Sequence, residues 1–595
     1  MSVEKLIVDH METWTSALQT RSTAGRGSSG KIDLYGIKKL RELILELAVR
    51  GKLVPQDPND EPASELLKRI AAEKAELVKQ GKIKKQKPLP EISEEEKPFE
   101  LPQGWEWVRL GDIAEIIRGV TYGKSQSSEI KKDGMLPLLR ANNIQSEILL
   151  EPIVYVDEEL VSPEQYLRMG DVLIAMSSGS ESLVGKAAQF FENGNYTFGA
   201  FCGVVRTYSK IVDEFIGFFL KTPLYRRQTQ SSGKGIGIKN LNKSNLEMLL
   251  VAMPSKRNCA QLLEEATFLL SLCDQLEQQS LTSLDAHQQL VETLLGTLTD
   301  SQNAEELAEN WVRINEHFDT LFTTEASVDA LKQTILQLAV MGKLVPQDPN
   351  DEPASELLKR IAQEKAQLVK EGKIKKQKPL PPISDEEKPF ELPNGWEWCR
   401  LGELIDSIDA GWSPACSSEP AAPGEWGVLK TTAVQSLEYR EYENKALPKN
   451  KAPRPQLEVK AGDILITRAG PKNRVGISCL VEKTRENLMI SDKIIRFHLI
   501  SEDISEKYIS LCLNYGFTST YLENSKSGMA ESQMNISQDI LKMAPIAIPT
   551  THEQLKITDK INEMMDYFIT LKSQIQSAQQ TQLHLADALT DAAIN

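Results

Sequence analysis

The sequence lacks the features of secreted, membrane-spanning and zinc-stabilised proteins. Its seven cysteines are scattered and form no C-x-x-C pair, which argues against a disulfide framework and a cysteine zinc site. No run approaches the ~18 consecutive apolar residues that cross a bilayer. The N-terminus, MSVEKLIVDHMETW, has acidic residues where a signal peptide would have a basic start and an apolar stretch. These absences predict a cytoplasmic protein without a membrane segment.

Motifs of catalysis are scarce as well. The sequence has no [DNS]-P-P-[YF] motif that would grip a flipped adenine and no H-E-x-x-H zinc motif. The segment Gly25–Lys31, GRGSSGK, imitates a phosphate-binding loop, but Ile32 replaces the Ser or Thr that would bind magnesium. Polar residues precede it in place of an apolar strand, so we interpret it as a linker. We therefore predict no catalytic, cofactor or metal site in this chain.

A long internal repeat dominates the sequence. Residues 51–112 match residues 342–403 without a gap, with 54 identities in 62 positions. The stretches that follow, 105–254 (the first insert) and 396–549 (the second insert), have diverged from each other. Each still contains a GD-[VI]-L-I segment, a V-G step and a closing apolar segment that ends in proline. The repeated segments therefore form a common frame around two unlike inserts. This arrangement is expected when the frame binds the same partner twice and each insert binds a different target.

Local patterns predict a mixed α/β fold in which strand-rich inserts alternate with helices. Short β-branched runs such as DVLIAM and GDILIT predict strands, and apolar spacing predicts a helix over 61–80 before a proline-punctuated connector. After each closing proline, apolar residues recur in steps of four and three; the C-terminal seam includes Ala578 and Leu585. We predict two long coiled-coil-like helices that pack on each other. The alternative is that each helix packs only on its own insert.

This order of parts resembles the specificity subunits of Type I restriction-modification systems. The resemblance is carried by the LPxGWEWxRLG segments at 101–111 and 392–402 and by the GD-[VI]-L-I strands at 170–174 and 462–466. The closing proline strands and the His552-Glu553-Gln554 triplet before the C-terminal heptad helix add to it. The first half has SKRNCAQLL where the second has THEQLKI, so it lacks the Glu-Gln pair.

The resemblance implies that each insert is a target recognition domain that reads one half of a bipartite, asymmetric DNA site. It implies a frame of long antiparallel helices with an internal pseudo-twofold repeat. That frame would set the separation of the half-sites and dock two methyltransferase subunits, and through them motor-nuclease subunits. S-adenosylmethionine, ATP and magnesium are then expected in those partners, and this chain is expected to be non-catalytic alone.

Candidate DNA-binding residues follow from two requirements. Phosphate contact needs local positive charge, and base reading needs polar side chains on loops. In the first insert an acid-free basic run and two polar segments supply Lys221, Arg226, Arg227, Lys234, Lys239 and Lys243, and Arg140, Asn142, Asn143, Ser177 and Ser178. In the second insert the candidates are Trp412, Lys430, Thr431, Arg468, Lys472 and Arg474. For any single base reader, a turn, a helix cap or a strand end is an equally good interpretation. The paired tryptophans of the LPxGWEWxRLG segments are interpreted as frame packing.

The predicted domains are an N-terminal helical frame and connector (1–104), two target recognition domains (105–255 and 396–550), a central spacer with the repeated connector (256–395) and a C-terminal heptad helix (551–595). The predicted function is DNA recognition within a Type I restriction-modification complex. Two alternatives stay open. One is a protein-interaction scaffold with two divergent binding domains, and the other is an enzyme with an unrecognised active site.

Overall fold

The computed structural model describes residues 3–21, 31–177, 183–231, 241–376 and 378–594. The phosphate-loop-like segment up to Gly30, and the candidates Ser178, Lys234 and Lys239, lie outside these residues. The chain forms two compact units: 31–282 with 3–21 and 579–594, and 283–578. In the part of the chain that is described, no helix is long and apolar enough to cross a membrane.

The first unit combines helices with the strand-rich first insert. Its helices are α1 Val3–Asp9, α2 Met11–Ser16, α3 Tyr35–Val49, α4 Ala63–Lys79, α5 Leu110–Ile113, α6 Asp213–Phe219, α7 Pro223–Ser231, α8 Lys243–Glu247 and the first part of α9 Lys256–Asp300. Its central sheet is antiparallel, in the order Ala114–Arg118, Cys202–Thr207, Val172–Ala175, Ala187–Gln189. A second sheet has the order Thr197–Phe198, Met135–Leu139, Val154–Asp157, Ser127–Ser128. The closing strand Leu250–Met253 pairs with Glu106–Arg109, and Gln19–Arg21 pairs with Lys31–Asp33.

The second unit repeats this plan with different residues. Its helices are the end of α9, α10 Ala304–Glu316, α11 Phe318–Leu321, α12 Glu325–Val340, α13 Ala354–Lys370, α14 Leu401–Leu404, α15 Glu506–Asn514, α16 Gly516–Asn524, α17 Gln538–Met543 and α18 Thr551–Ile594, whose last turns belong to the first unit. Its central sheet has the order Ile405–Ala410, Ile494–Leu499, Ile464–Thr467, Ser478–Leu480. Smaller sheets join Asn444–Ala446, Gly427–Leu429 and Leu488–Met489; Val434–Gln435 and Glu438–Tyr439; and Ala469–Gly470, Met534–Asn535 and Ser527–Gly528. The closing strand Pro545–Ile548 pairs with Glu397–Arg400.

The recurring GD-[VI]-L-I segment marks the same turn in both inserts. Gly170 and Gly462 have φ values of +97° and +91°, a conformation that glycine adopts without strain. The aspartate that follows accepts a backbone N–H three residues back, from Arg168 to Asp171 at 2.8 Å and from Lys460 to Asp463 at 2.9 Å. The turn therefore delivers the chain into the buried middle strand of each central sheet, which confirms the predicted strands.

The repeated frame holds each insert through the same buried side chains. Trp105 and Trp396 are each 6% exposed, which confirms their interpretation as frame packing. The Trp105 indole N–H donates to Gln56 Oε1 at 2.8 Å, whereas the Trp396 N–H donates to Glu553 Oε2 at 2.9 Å. Burial raises the pKa of Glu553. The Glu-Gln pair that only the second half possesses therefore has a structural role, because it joins the start of α18 to the frame.

The helix predicted over 61–80 is confirmed as α4, which begins after Pro62, and the two long helices are confirmed as α9 and α18. In the second unit, Phe568 of α18 lies in one hydrophobic cluster with Val291 and Leu295 of α9, so the two helices pack on each other there as predicted. The compact units divide both helices, and the predicted five-part domain division stays a prediction.

The predicted seam of the C-terminal helix is wrong beyond residue 575. Ala578 is exposed and Leu585 is 46% exposed, whereas Ala586 and Thr590 are buried. A straight helix has 3.6 residues per turn, so a strict seven-residue pattern drifts by about 20° per heptad around its surface. The buried residues of α18 therefore recur with the 3.6-residue period of the helix and not with the seven-residue period of a heptad.

Candidate nucleic-acid interface

The central sheets of the two units end in the same backbone arrangement. After the edge strand of the first unit, the Val120 N–H donates to the Phe198 carbonyl at 2.8 Å. In the second unit the Trp412 N–H donates to the Ile490 carbonyl at 3.1 Å in the same way. One backbone scaffold therefore presents different side chains at matching positions of the two inserts.

In the first unit this arrangement opens into a cavity of about 650 Å³. Three of the sequence-predicted residues, Arg140, Asn142 and Ser177, line it together. Tyr122 and Phe201, which the sequence did not single out, complete its polar and aromatic wall. These five residues define what we call the first cleft.

Arg140 brings a buried side-chain donor to the first cleft. Its backbone N–H donates to Asn143 Oδ1 at 2.9 Å, which fixes the chain at this point. Its side-chain Nε is buried, and no hydrogen-bond partner for it is found among the described residues. Buried donors are normally paired, so an unpaired one in a cleft is a position where a ligand can supply the acceptor.

Asn143, although adjacent, has a different role. Its side chain is fully buried, and its Nδ2 donates to the carbonyls of Leu149 and Pro152 at 2.8 and 3.1 Å. Together with the bond from Arg140, these contacts occupy the amide, which holds the loop in shape. Asn142, in contrast, is exposed to solvent.

In the second unit, Trp412 and Lys430 correspond to Val120 and Arg140, which line the cavity of the first unit. Arg468 corresponds to Met176, the neighbour of the lining residue Ser177. The Arg454 guanidinium lies 4.2 Å from the centre of the Trp412 ring, a cation–π contact. Lys430 Nζ lies 3.4 Å from Glu443 Oε2. We call Trp412, Lys430, Arg454 and Arg468 the second rim.

Arg468 and Arg474 differ in their surroundings. The Arg468 side chain is half-buried, and its backbone N–H donates to the Lys493 carbonyl at 2.8 Å. Arg474 instead donates through Nη1 to Gln435 Oε1 at 2.9 Å and through Nη2 to the Thr431 carbonyl at 2.8 Å. Arg474 thus ties the loops of the second insert together, and Thr431 takes part through its backbone.

The predicted basic run of the first insert is divided among several environments. Arg227 Nη2 lies 2.7 Å from Glu46, a buried carboxylate of α3 that also pairs with Arg50 at 2.8 Å. Arg226 donates to the Val184 carbonyl at 3.3 Å. Lys221 is exposed, whereas Lys243 is half-buried and its Nζ lies 3.7 Å from Glu247 Oε1. In the second insert Lys472 is exposed, and its Nζ lies 3.8 Å from Glu531 Oε1.

Two residues of the first cleft, Tyr122 and Phe201, could not be identified from the sequence. Phe201 lies on the turn before the strand Cys202–Thr207. The Gly199-Ala200 pair ahead of it is the one sequence signal that could have indicated a turn. Tyr122 and Arg454 are brought to their sites by strand pairing, which the local sequence does not reveal.

An ion pair under each central sheet holds the turn behind the interface. Arg206 binds Asp171 through two hydrogen bonds of 2.8 and 2.6 Å. At the corresponding position of the second unit, His498 binds Asp463, and this hydrogen bond raises the pKa of His498. Asp463 also lies 3.6 Å from Arg496 Nη1. The aspartate of the second insert therefore pairs with a permanent and a titrating cation, whereas Asp171 pairs with the permanent cation Arg206.

Within the described ranges, no group of three or more His, Cys, Asp or Glu residues is arranged to hold a metal ion. The first cleft and the second rim contain hydrogen-bond donors and aromatic rings instead. This composition suits the recognition of base edges and phosphates.

Comparison with known proteins places the chain in a family. The model of the Type I restriction modification DNA specificity domain matches twice, over residues 102–286 and 393–579. The Type I restriction enzyme EcoEI specificity subunit of Escherichia coli is 62% identical over 614 aligned positions, and the EcoAI specificity subunit of Escherichia coli is 52% identical over 610; each alignment covers 100% of both chains. A crystal structure of the HsdS subunit from Thermoanaerobacter tengcongensis covers 84% of this chain and 98% of its own, with 17% identity and a TM-score of 0.37. The chain therefore belongs to the family of Type I restriction-modification specificity subunits.

Proposed function

We propose that this chain is the DNA-recognition subunit of a Type I restriction-modification complex. Each insert acts as a target recognition domain and reads one half of a bipartite, asymmetric site. The observation that carries the proposal is that matching backbone positions at the ends of the two central sheets bear unlike side chains.

Two pairs of matched positions show how the two readers are related. The parallel pair Met135–Leu139 with Thr197–Phe198 corresponds to the parallel pair Gly427–Leu429 with Leu488–Met489. This register matches Arg140 with Lys430. Met176 matches Arg468 because each donates its backbone N–H to a turn carbonyl, that of Phe201 in the first insert and that of Lys493 in the second. Arginine and lysine both bind the guanine edge, whereas methionine donates no hydrogen bond. The two readers therefore differ most at the position shared by Met176 and Arg468.

The frame supplies the second part of the function. Its two copies are identical at 54 of 62 positions, which suits docking the same partner twice. We infer that these partners are two methyltransferase subunits, which in turn bind motor-nuclease subunits. The partners would carry S-adenosylmethionine, ATP and magnesium, and the chain itself would supply no catalytic group. We infer a cytoplasmic location because the DNA and the partners are there.

Salt-titrated binding tests the proposal. The chain assembled with methyltransferase subunits would be titrated, at several salt concentrations, with a duplex that carries its site, found by mapping methylated adenines. The logarithm of the affinity should fall linearly with the logarithm of the salt concentration, by about 0.9 per neutralised phosphate. A shallow slope, with no preference for the mapped site, would favour a protein-interaction scaffold instead. Methyl transfer by the chain alone, with S-adenosylmethionine and magnesium, would contradict the non-catalytic assignment.

A further inference from the structure

Phe201 is an aromatic residue in an unusual place. Its side chain is 69% exposed, although it lines the first cleft beside Arg140 and Tyr122. Phenylalanine offers no hydrogen bond, so neither a cap nor an ion pair accounts for its position. An exposed aromatic among polar donors is typical of a surface that contacts a partly apolar ligand.

The backbone around Phe201 is held firmly. The Cys202 N–H donates to the Gly199 carbonyl at 2.8 Å, which closes a tight turn. The Phe201 carbonyl accepts the N–H groups of Met176 and Ser177 at 2.9 and 3.1 Å. The turn is thus fixed to the neighbouring strand, and the ring can be presented to a ligand at little cost in ordering the chain.

The chemistry of duplex DNA offers one apolar group for such a ring. In the major groove, the edges of the bases expose hydrogen-bond donors and acceptors and, on thymine alone, a methyl group at C5. We propose that Phe201 contacts the 5-methyl group of a thymine in the half-site read by the first insert. This inference rests on the proposed function and adds a specificity-determining residue to it.

The second insert provides the contrast. The turn there has the same hydrogen bonds, from Ile494 N–H to the Ser491 carbonyl at 3.0 Å and from Arg468 N–H to the Lys493 carbonyl at 2.8 Å. The position of Phe201 is therefore taken by Lys493, which is exposed and charged. Methyl recognition at this turn belongs to the first insert only.

Replacing thymine by deoxyuridine tests the proposal, because the replacement removes only the methyl group. The assembled complex would be titrated with duplexes in which each thymine of the first half-site is replaced in turn. At one position the wild type should lose about four-fold in affinity, the value of one buried methyl-sized group. Phe201→Ala should weaken binding to the thymine duplex and should no longer distinguish thymine from deoxyuridine at that position.

Phe191→Ala is the matched control. Phe191 is 55% exposed on the same insert and does not line the first cleft, so this variant should keep the wild-type difference between thymine and deoxyuridine. Thermal unfolding of both variants should match the wild type, because neither ring is buried.

Two results would overturn the inference. One is a wild type that is indifferent to every deoxyuridine replacement in the first half-site. The other is a Phe201→Ala variant whose affinity for thymine and deoxyuridine duplexes falls by the same factor. That result would indicate that the Phe201 ring inserts between base pairs and does not contact the methyl group. Either result with intact site preference would leave the proposed function standing, whereas loss of all site preference in the wild type would contradict the proposed function itself.

Discussion

Arg140 gives the sharpest prediction about base reading. Its buried Nε has no hydrogen-bond partner among the described residues, so replacing the side chain breaks no hydrogen bond of that atom in the free protein. The backbone bond to Asn143 is kept in any variant, because it involves the Arg140 N–H. Arg140→Ala should therefore fold normally and reveal its effect only in DNA binding.

The magnitude follows from the contact that an arginine makes with a base pair. A bidentate arginine contact provides about 1–3 kcal/mol of discrimination, which is roughly 5- to 150-fold in affinity. Arg140→Ala should lose this factor at one base pair of the first half-site. Arg140→Lys keeps the charge and loses the two-pronged geometry, so it should relax the same base pair while retaining the salt dependence.

Competition binding measures both quantities. The assembled complex would be tested against duplexes in which each base pair of the site is changed, and the second half-site would serve as the control within the same duplex. Uniform weakening at every sequence, with a salt slope shallower by about 0.9, would indicate a phosphate contact and refute base reading by Arg140. An unchanged affinity would remove Arg140 from the interface.

Two further predictions concern stability. The hydrogen bond to Asp463 raises the pKa of His498 above its ordinary 6.5, so this pair stabilises the second unit fully below pH 6.5 and loses that contribution as the pH rises through the raised pKa. Thermal unfolding should show this loss in the wild type and not in His498→Arg; an identical pH profile would contradict it. Asn143→Ala removes three hydrogen bonds from a fully buried side chain and should lower the free energy of unfolding by about 2–4 kcal/mol. In denaturant titrations the exposed neighbour Asn142→Ala should change it by less than about 0.5 kcal/mol, and equal effects would refute the assigned roles.

The frame was predictable from the sequence because its signals are local and repeated. The helix over 61–80, the strands after each GD turn and the packed tryptophans all follow from spacing and identity between the copies. The end of the C-terminal seam was not predictable in this way, since Ala578 and Ala586 both fit an apolar pattern and only the actual twist of α18 decides between them.

The interface was predictable only in part. Arg140 and Ser177 are far apart in sequence, and both were singled out for their chemistry alone, yet the structure brings them to one cavity. The same chemistry also selected Asn143 and Arg474, whose side chains bind the protein itself. Composition identifies polar loops, but strand register and burial decide which loop residues remain available to a ligand.

Under the proposed function, two unlike readers act independently on one chain. Mapping methylated adenines in cells that carry the complex with the wild-type chain, with Arg140→Ala or with Arg468→Ala tests this claim most directly. We expect a split site in the wild type, relaxation of one half-site by Arg140→Ala and relaxation of the other half-site by Arg468→Ala. A single contiguous site, or variants that both alter the same half, would contradict the account.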